Sequence, residues 1–350
     1  MASLRPSAPE VPLETWRDLL AAAQAFRAAR PWDWMDDSDL FVLVDEEGRP
    51  FFPSVLGAAG QVFGLALYRG EEGLRFLFDA MDTLEEHLPE TAFRQDALLL
   101  DWGAKKALAP EDLAVLAALG HAPRPRERQA WPCFRSHAPG WFPWFLDAAE
   151  ARALARGTRA LLACAELARR DEDFFAPNDE DGRVLPTVDI AATLAGSLDA
   201  NQVEWRHWRL PPPAPPPPPS IRADWAAVRT RPLNPRGALE FDIFHLRSPV
   251  ADSGRPYFPR LALLVDGASG YVYGMEMAPP ERAWGDLVVS TWSKAWQTAT
   301  SRPATIAIRR EEWLPALLPL AEHLGIKVEL RAELPFIEEA RESLGQFQGR

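Results

Sequence analysis

Gly254-Arg255-Pro256-Tyr257-Phe258-Pro259, in the second half of the chain, echoes Gly48-Arg49-Pro50-Phe51-Phe52-Pro53 in the first. The echo continues outward from that stretch. Val62-Phe63-Gly64 is answered by Val272-Tyr273-Gly274, and Leu119-Gly120, closing a helical stretch, by Leu324-Gly325. Order and approximate spacing agree, which predicts one fold unit used twice. A duplication of this kind points to an architecture without naming a reaction.

The flanking residues supply the elements of each unit. Pro12 to Arg30 is an amphipathic helix, with Leu13, Trp16, Leu19, Leu20, Ala23 and Phe26 on one face. Leu40–Asp45, Phe51–Leu56 and Val62–Tyr68 read as strands separated by the turns Glu46-Glu47-Gly48 and Gly57–Gly60, an antiparallel meander. A helix over Glu71–Leu88, a strand over Ala97–Trp102, a Pro-led helix over Pro110–Leu119, a strand over Trp131–Arg135 and a long helix over Leu146–Arg170 follow. Val184–Leu210 adds further strands. In the second half, strands at Glu240–Leu246, Arg260–Val265 and Tyr271–Met277 precede a helix at Trp284–Thr300. A strand at Ala304–Ile308, a helix at Glu311–Leu324, a strand at Ile326–Leu330 and a helix from Pro335 to Leu344 complete it. The run from Pro211 to Pro219 supports neither helix nor interior strand and predicts a semi-rigid polyproline spacer. The expected layout is an N-terminal helix (1–30), a first α/β domain (31–210), a polyproline linker (211–220) and a second α/β domain (221–350).

Three antiparallel strands followed by helix, strand, helix, strand, helix restrict the topology. The first strand takes the fourth as a parallel neighbour through a right-handed crossover, and the fifth extends the sheet, giving the mixed order 3-2-1-4-5. This βββαβαβα pattern resembles the ribonuclease H-like arrangement shared by transposases and retroviral integrases. Arg302-Pro303, an apolar strand, a helix ending in Leu324-Gly325-Ile326, a strand and a Pro335-led helix are similar to an integrase core over roughly residues 238–345. The chain also resembles a pair of uncharacterised bacterial domain families. The first is marked by Trp131-Pro132-Cys133-Phe134-Arg135 and Pro139-Gly140-Trp141-Phe142-Pro143-Trp144, the second by Asp242, Arg255 to Pro259 and Gly274. That resemblance implies domain boundaries and no activity.

Composition narrows the function classes. The net charge of −12 opposes binding to a phosphate backbone, and acids interrupt the basic run Arg124–Arg128. The expected partner is therefore protein, with nucleic acid disfavoured. Cys133 and Cys164 have neither CxxC nor His-ligand spacing, which predicts buried thiols of a reducing compartment. Met1–Glu10 is polar and Pro-rich, and no apolar run reaches membrane-spanning length. These features predict a cytoplasmic protein without membrane contact. Thirty-four of the basic residues are Arg, a bias typical of a GC-rich bacterial genome.

A ribonuclease H-like resemblance implies carboxylates on the first strand, after the fourth strand and on the last helix, holding two metal ions. In the second unit Asp242 lies on the first strand, and the last helix offers Glu338 and Glu339. The position after the fourth strand, however, reads Arg309-Arg310, and only Glu311 or Glu312 beyond it is acidic. Two expectations follow. In the first, Asp242 pairs with an arginine, Arg309 being the natural partner, and the chain is a non-catalytic binding or scaffolding protein without cofactor. In the alternative, Asp242, Glu311 and Glu339 form a Mg²⁺- or Mn²⁺-dependent nuclease or transposase site. The first unit offers Asp101 and Glu150, but Phe41-Val42-Leu43-Val44 carries no acid. Gly57–Gly64 lies between two strands and reads as a hairpin rather than a phosphate loop. The acidic stretch Asp171–Asp181 lacks EF-hand spacing. Trp131, Phe134, Trp141 and Trp144 are aromatic enough to form a binding platform, or else core.

Overall fold

The computed structural model describes residues 8–82, 92–124, 127, 129–171, 174–175, 183–196, 198–251 and 254–348. The expected helix beyond Asp82, most of the Arg124–Arg128 run and most of Asp171–Asp181 lie outside them. The chain divides into two compact units, Met1–Pro139 with Pro143–Leu210, and Gly140–Phe142 with Pro211–Arg350. Each holds one mixed α/β sheet.

The first sheet has seven strands: β1 (Val42–Val44), β2 (Pro50–Leu56), β3 (Gly64–Arg69), β4 (Ala97–Gly103), β5 (Trp131–His137), β6 (Val184–Asp189) and β7 (Glu204–His207). Their spatial order is β5-β4-β3-β2-β1-β6-β7. The alternation of side chains along a strand sends Phe41, Leu43, Phe51 and Val55 to one face and Leu40, Val42 and Phe52 to the other. The first face packs on the helices Leu13–Ala29 and Ala148–Ala168 through Leu19, Phe26, Leu154, Leu161 and Cys164. The second packs on the helix Gly70–Asp82 through Leu74 and Leu77. Helix Ala148–Ala168 starts with a reciprocal cap. Asp147 accepts from the Ala149 and Glu150 amides, and Glu150 accepts from the Asp147 amide at 3.1 Å.

The second sheet has five strands: β8 (Leu233–His245), β9 (Arg260–Asp266), β10 (Val272–Ala278), β11 (Arg302–Ile308) and β12 (Lys327–Leu330), ordered β10-β9-β8-β11-β12. β8, β9 and β10 are antiparallel, while β8–β11 and β11–β12 are parallel. Counted within this unit the order is 3-2-1-4-5, as the sequence predicts. One face carries Leu239, Phe241, Ile243, Ile306 and Ile308 against the helices Trp284–Thr298 and Leu314–Leu324. Trp292 and Trp296 sit edge-on to each other there, and Phe241 meets Trp292 edge-on. Burial of one such aromatic ring contributes roughly 2–3 kcal/mol. The opposite face carries Phe244, Leu261, Leu263 and Ala307 under the helix Pro335–Gln348.

The first sheet corrects the expectation of two identically wired units. β4 does not lie parallel beside β1. It pairs antiparallel with β3, and β5 pairs antiparallel with β4. The parallel place beside β1 is taken by β6, and β7 closes that edge antiparallel. The repeated hexapeptides diverge as well. Pro50–Leu56 is strand β2, whereas Pro256 precedes β9, and Tyr257 bridges to Val250 and Trp141. The physical reason is that a strand with two apolar faces satisfies its burial on either side of the meander, so the hydrophobic pattern alone does not choose the edge. Residues 211 to 220 carry neither helix nor strand.

Candidate functional site

The acidic strand of the second unit is where the sequence concentrates its chemistry. Along β8, Glu240, Asp242 and Phe244 share the face beneath the helix Pro335–Gln348. In the parallel register Glu240 lies opposite Ala307, so two residues on Asp242 comes level with Arg309, just past the end of β11. Asp242 is fully buried, at 0% exposure. Its Oδ2 takes an Nη2–H of Arg309 at 3.3 Å, and its Oδ1 accepts the Ile243 amide at 2.9 Å and faces Nε of Arg310 at 3.6 Å. Burial pushes the Asp242 carboxyl above the usual carboxylate range, more strongly than Arg310 and Arg309 draw it down. Arg309 also reaches Glu338 on the last helix, at 3.6 Å. Its guanidinium therefore stands between a strand acid and a helix acid. Arg310 is anchored by Trp313, its Cζ lying 4.8 Å from the ring centroid.

Of the alternative catalytic trio, Glu311 and Glu339 are exposed while Asp242 is buried. Among the described residues no group of three or more His, Cys, Asp or Glu side chains is disposed to hold a metal ion. The expected Asp242–Arg309 pair is present. Arg310 as second partner and the role of Glu240 are additions that the sequence reading missed. Glu240 is buried and accepts the amides of Phe336 and Ile337, each at 3.0 Å, at the start of the last helix. A carboxylate there answers the unsatisfied amides and the positive end of the helix dipole. The alternation Glu240-x-Asp242 was visible, but the amides that Glu240 serves lie nearly a hundred residues away.

His245, at the end of β8, is kept neutral: burial and the charges of Arg260 and Arg310 pull its pKa down to about 4. Arg260 donates from Nη2 to the carbonyls of Pro280 at 3.0 Å and Arg282, and burial lowers its pKa.

The four aromatic candidates each sit in a contact of their own. Phe134 is buried in the core and touches Trp16. Trp131 lies edge-on to His121, with Lys105 over its ring. Trp144 bridges to Ser136 and packs on Phe145. Trp141 belongs to the second unit, where it meets Tyr257 edge-on and carries Arg255 over its ring. The acids considered in the first unit are likewise engaged in structure. Glu150 receives Arg69 at 2.7 Å and the Ser136 hydroxyl at 2.6 Å. Burial raises the pKa of Asp101.

Residues 16–185 match the family model of a domain of unknown function (DUF7309), and residues 224–345 match that of a second (DUF6930). Two domains of unknown function cover the chain. The DUF6930 match holds the whole β8–β12 sheet and the Asp242 cluster, and the DUF7309 match runs from the first helix into β6. No curated protein matches the chain. Among the described residues no helix is long and apolar enough to cross a membrane.

Proposed function

We propose that the chain is a non-catalytic binding or scaffolding protein, with a second unit of ribonuclease H-like type whose metal ions have been replaced by protein cations. The observation that carries this reading is Arg309, which faces both Asp242 and Glu338. In an active enzyme of that arrangement a strand acid and a helix acid hold metal ions that clamp a phosphodiester. A guanidinium in that place neutralises the acids and repels divalent cations. The Asp242 carboxyl, disfavoured as an anion by burial, is a poor metal ligand for the same reason.

The partner is proposed to be protein rather than nucleic acid. The net charge of −12 opposes phosphate binding. The two edges of the second sheet also differ. β12 is guarded by Lys327, Glu329 and Arg331, which pair with one another. On β10, Met275 and Met277 are 52% and 56% exposed. Charges on an edge discourage strand addition, whereas exposed methionines suit an adaptable protein contact. Two free thiols, Cys133 and Cys164, support a reducing compartment such as the cytoplasm.

The test is cleavage of single- and double-stranded DNA and RNA with Mg²⁺ or Mn²⁺, beside binding of the same nucleic acids at low salt. Neither cleavage nor salt-dependent binding is expected. Cleavage abolished by Asp242→Asn would overturn the reading.

A further inference from the structure

A cleft of about 400 Å³ opens in the first unit, a size suited to a small organic ligand. It lies where the end of the helix Leu13–Ala29, the turn after it, the entry to β3, the end of β4 and the loop before β5 converge. Its walls are aromatic: Trp32, Phe63 and Trp102, with Trp32 and Phe63 rings 5.3 Å apart. Its polar groups are the amides of Gln24 and Gln129, the His121 ring and two arginines.

Backbone strain gathers at this cleft. Among the described residues only Arg30 and Gln129 are non-glycine residues with positive φ, 54° and 48°, and both line it. Gly57, at φ 152°, presses on two of its walls. A Cβ there would come within 2.6 Å of the Trp32 Cβ and 3.1 Å of the Phe63 ring. Left-handed backbone at ordinary residues costs on the order of 1 kcal/mol each and concentrates at ligand sites.

The electrostatics select the ligand. Arg27 covers a face of Trp102, with Cζ 4.9 Å from the ring centroid, and its charge is met by Glu127 at 2.7 Å. Arg30 is met by Asp33 at 2.7 Å. Both cations among the described lining residues are thus already answered by carboxylates, which favours an uncharged ligand over a phosphate. His121 Nε2 lies 3.0 Å from the Ala130 carbonyl, an acceptor only, so that nitrogen carries a proton. Three aromatic walls, two amides that each donate and accept, and an imidazole match a flat, uncharged ring with hydrogen-bonding edges.

We propose that this cleft binds an uncharged planar heteroaromatic molecule of the nucleobase or nucleoside class. Contact with the half-buried Phe63 ring and the exposed margins of the indoles supplies affinity, and Gln24 and Gln129 read the edge of the ring.

The test is titration of the full chain with free bases, nucleosides and the matching mononucleotides, followed by calorimetry and tryptophan fluorescence. Saturable one-to-one binding of at least one base or nucleoside is expected, with the matching mononucleotide no tighter. Gln24 and Gln129 are exposed, so Gln24→Ala and Gln129→Ala leave the core intact, and each should weaken binding about tenfold with the thermal transition unchanged. No saturable binding by any member of the panel would overturn the proposal, as would binding indifferent to both glutamine substitutions. A mononucleotide bound more than tenfold tighter than its nucleoside would overturn the choice of an uncharged ligand.

Discussion

The two sheets share a core and diverge at their edges. In each, a three-strand antiparallel meander (β3-β2-β1 and β10-β9-β8) takes a parallel neighbour beside its first strand, β6 in one and β11 in the other. Beyond that the first sheet adds β4 and β5 to the meander's far edge, while the second leaves β10 open. The shared Val-aromatic-Gly motif shows what the difference means. A Cβ on Gly64 would lie 2.1 Å from the Leu100 carbonyl oxygen on the adjacent strand, and one on Gly274 would lie 2.3 Å from the Thr291 carbonyl oxygen on the helix Trp284–Thr298. The same residue serves close strand packing in one unit and close helix packing in the other. The first strands differ more sharply. Val42-Leu43-Val44 is wholly apolar, whereas β8 buries Glu240 and Asp242 and must answer both. Local sequence likeness between the halves therefore reports similar backbone demands, not equivalent wiring or chemistry.

The buried acids allow that contrast to be broken deliberately. Replacing both Arg309 and Arg310 with Ala strands the Asp242 carboxylate without a cation. The second unit should lose about 3–5 kcal/mol near neutral pH in chemical denaturation, while Asp242→Asn should cost far less because the arginines, each 32% exposed, rehydrate. The sign with pH follows from the raised pKa of Asp242. Its stabilising contribution is complete below the unfolded carboxyl pKa and is lost as pH rises through the folded value, so the double variant should regain stability on acidification.

His245 works in the opposite direction. Its folded pKa of about 4 lies below the unfolded value of 6.5, so the stability it contributes is complete above 6.5 and is lost as pH falls towards 4. The loss should approach about 3 kcal/mol, and His245→Gln should flatten that limb of the stability profile. The first unit has no counterpart on β1.

The glycine contrast predicts a smaller effect. Gly64→Ala must push apart a pair of bonded strands inside a seven-stranded sheet and should cost about 3 kcal/mol. Gly274→Ala should cost about 1–2 kcal/mol, because β10 is an edge strand with an irregular register at that point and can shift outward. Equal costs would mean that the two glycines serve the same packing after all. Smaller again is Glu240→Gln, which keeps an acceptor for the Phe336 and Ile337 amides but removes the charge at the helix start. It should cost about 1 kcal/mol, read as a lower melting temperature.

Element placement was legible because the chain punctuates its elements. Pro12 and Pro110 open helices, and left-handed Gly120 and Gly325, at φ 71° and 65°, follow the ends of the helices Pro110–Ala118 and Leu314–Leu324. The wiring of the second sheet was legible because each crossover carries one helix, Trp284–Thr298 between β10 and β11 and Leu314–Leu324 between β11 and β12. The first sheet was not, because Ala97–Gly103 carries buried side chains on both faces and fits beside β1 or β3 equally well by pattern. What decides between those edges is the close approach at Gly64 and the arrival of β6 from nearly ninety residues further on. Asp242 and Arg309 were legible as a pair, since a strand acid and a cation after its parallel neighbour fall at one level. The aromatic cleft was not, because its lining comes from separate segments with no common spacing.

That a guanidinium, not a metal ion, answers Asp242 is tested most directly by calorimetric titration of the full chain with Mn²⁺, run beside Asp242→Asn. The prediction is no saturable Mn²⁺ binding by either protein; saturable binding by the unaltered chain that disappears in Asp242→Asn would contradict it.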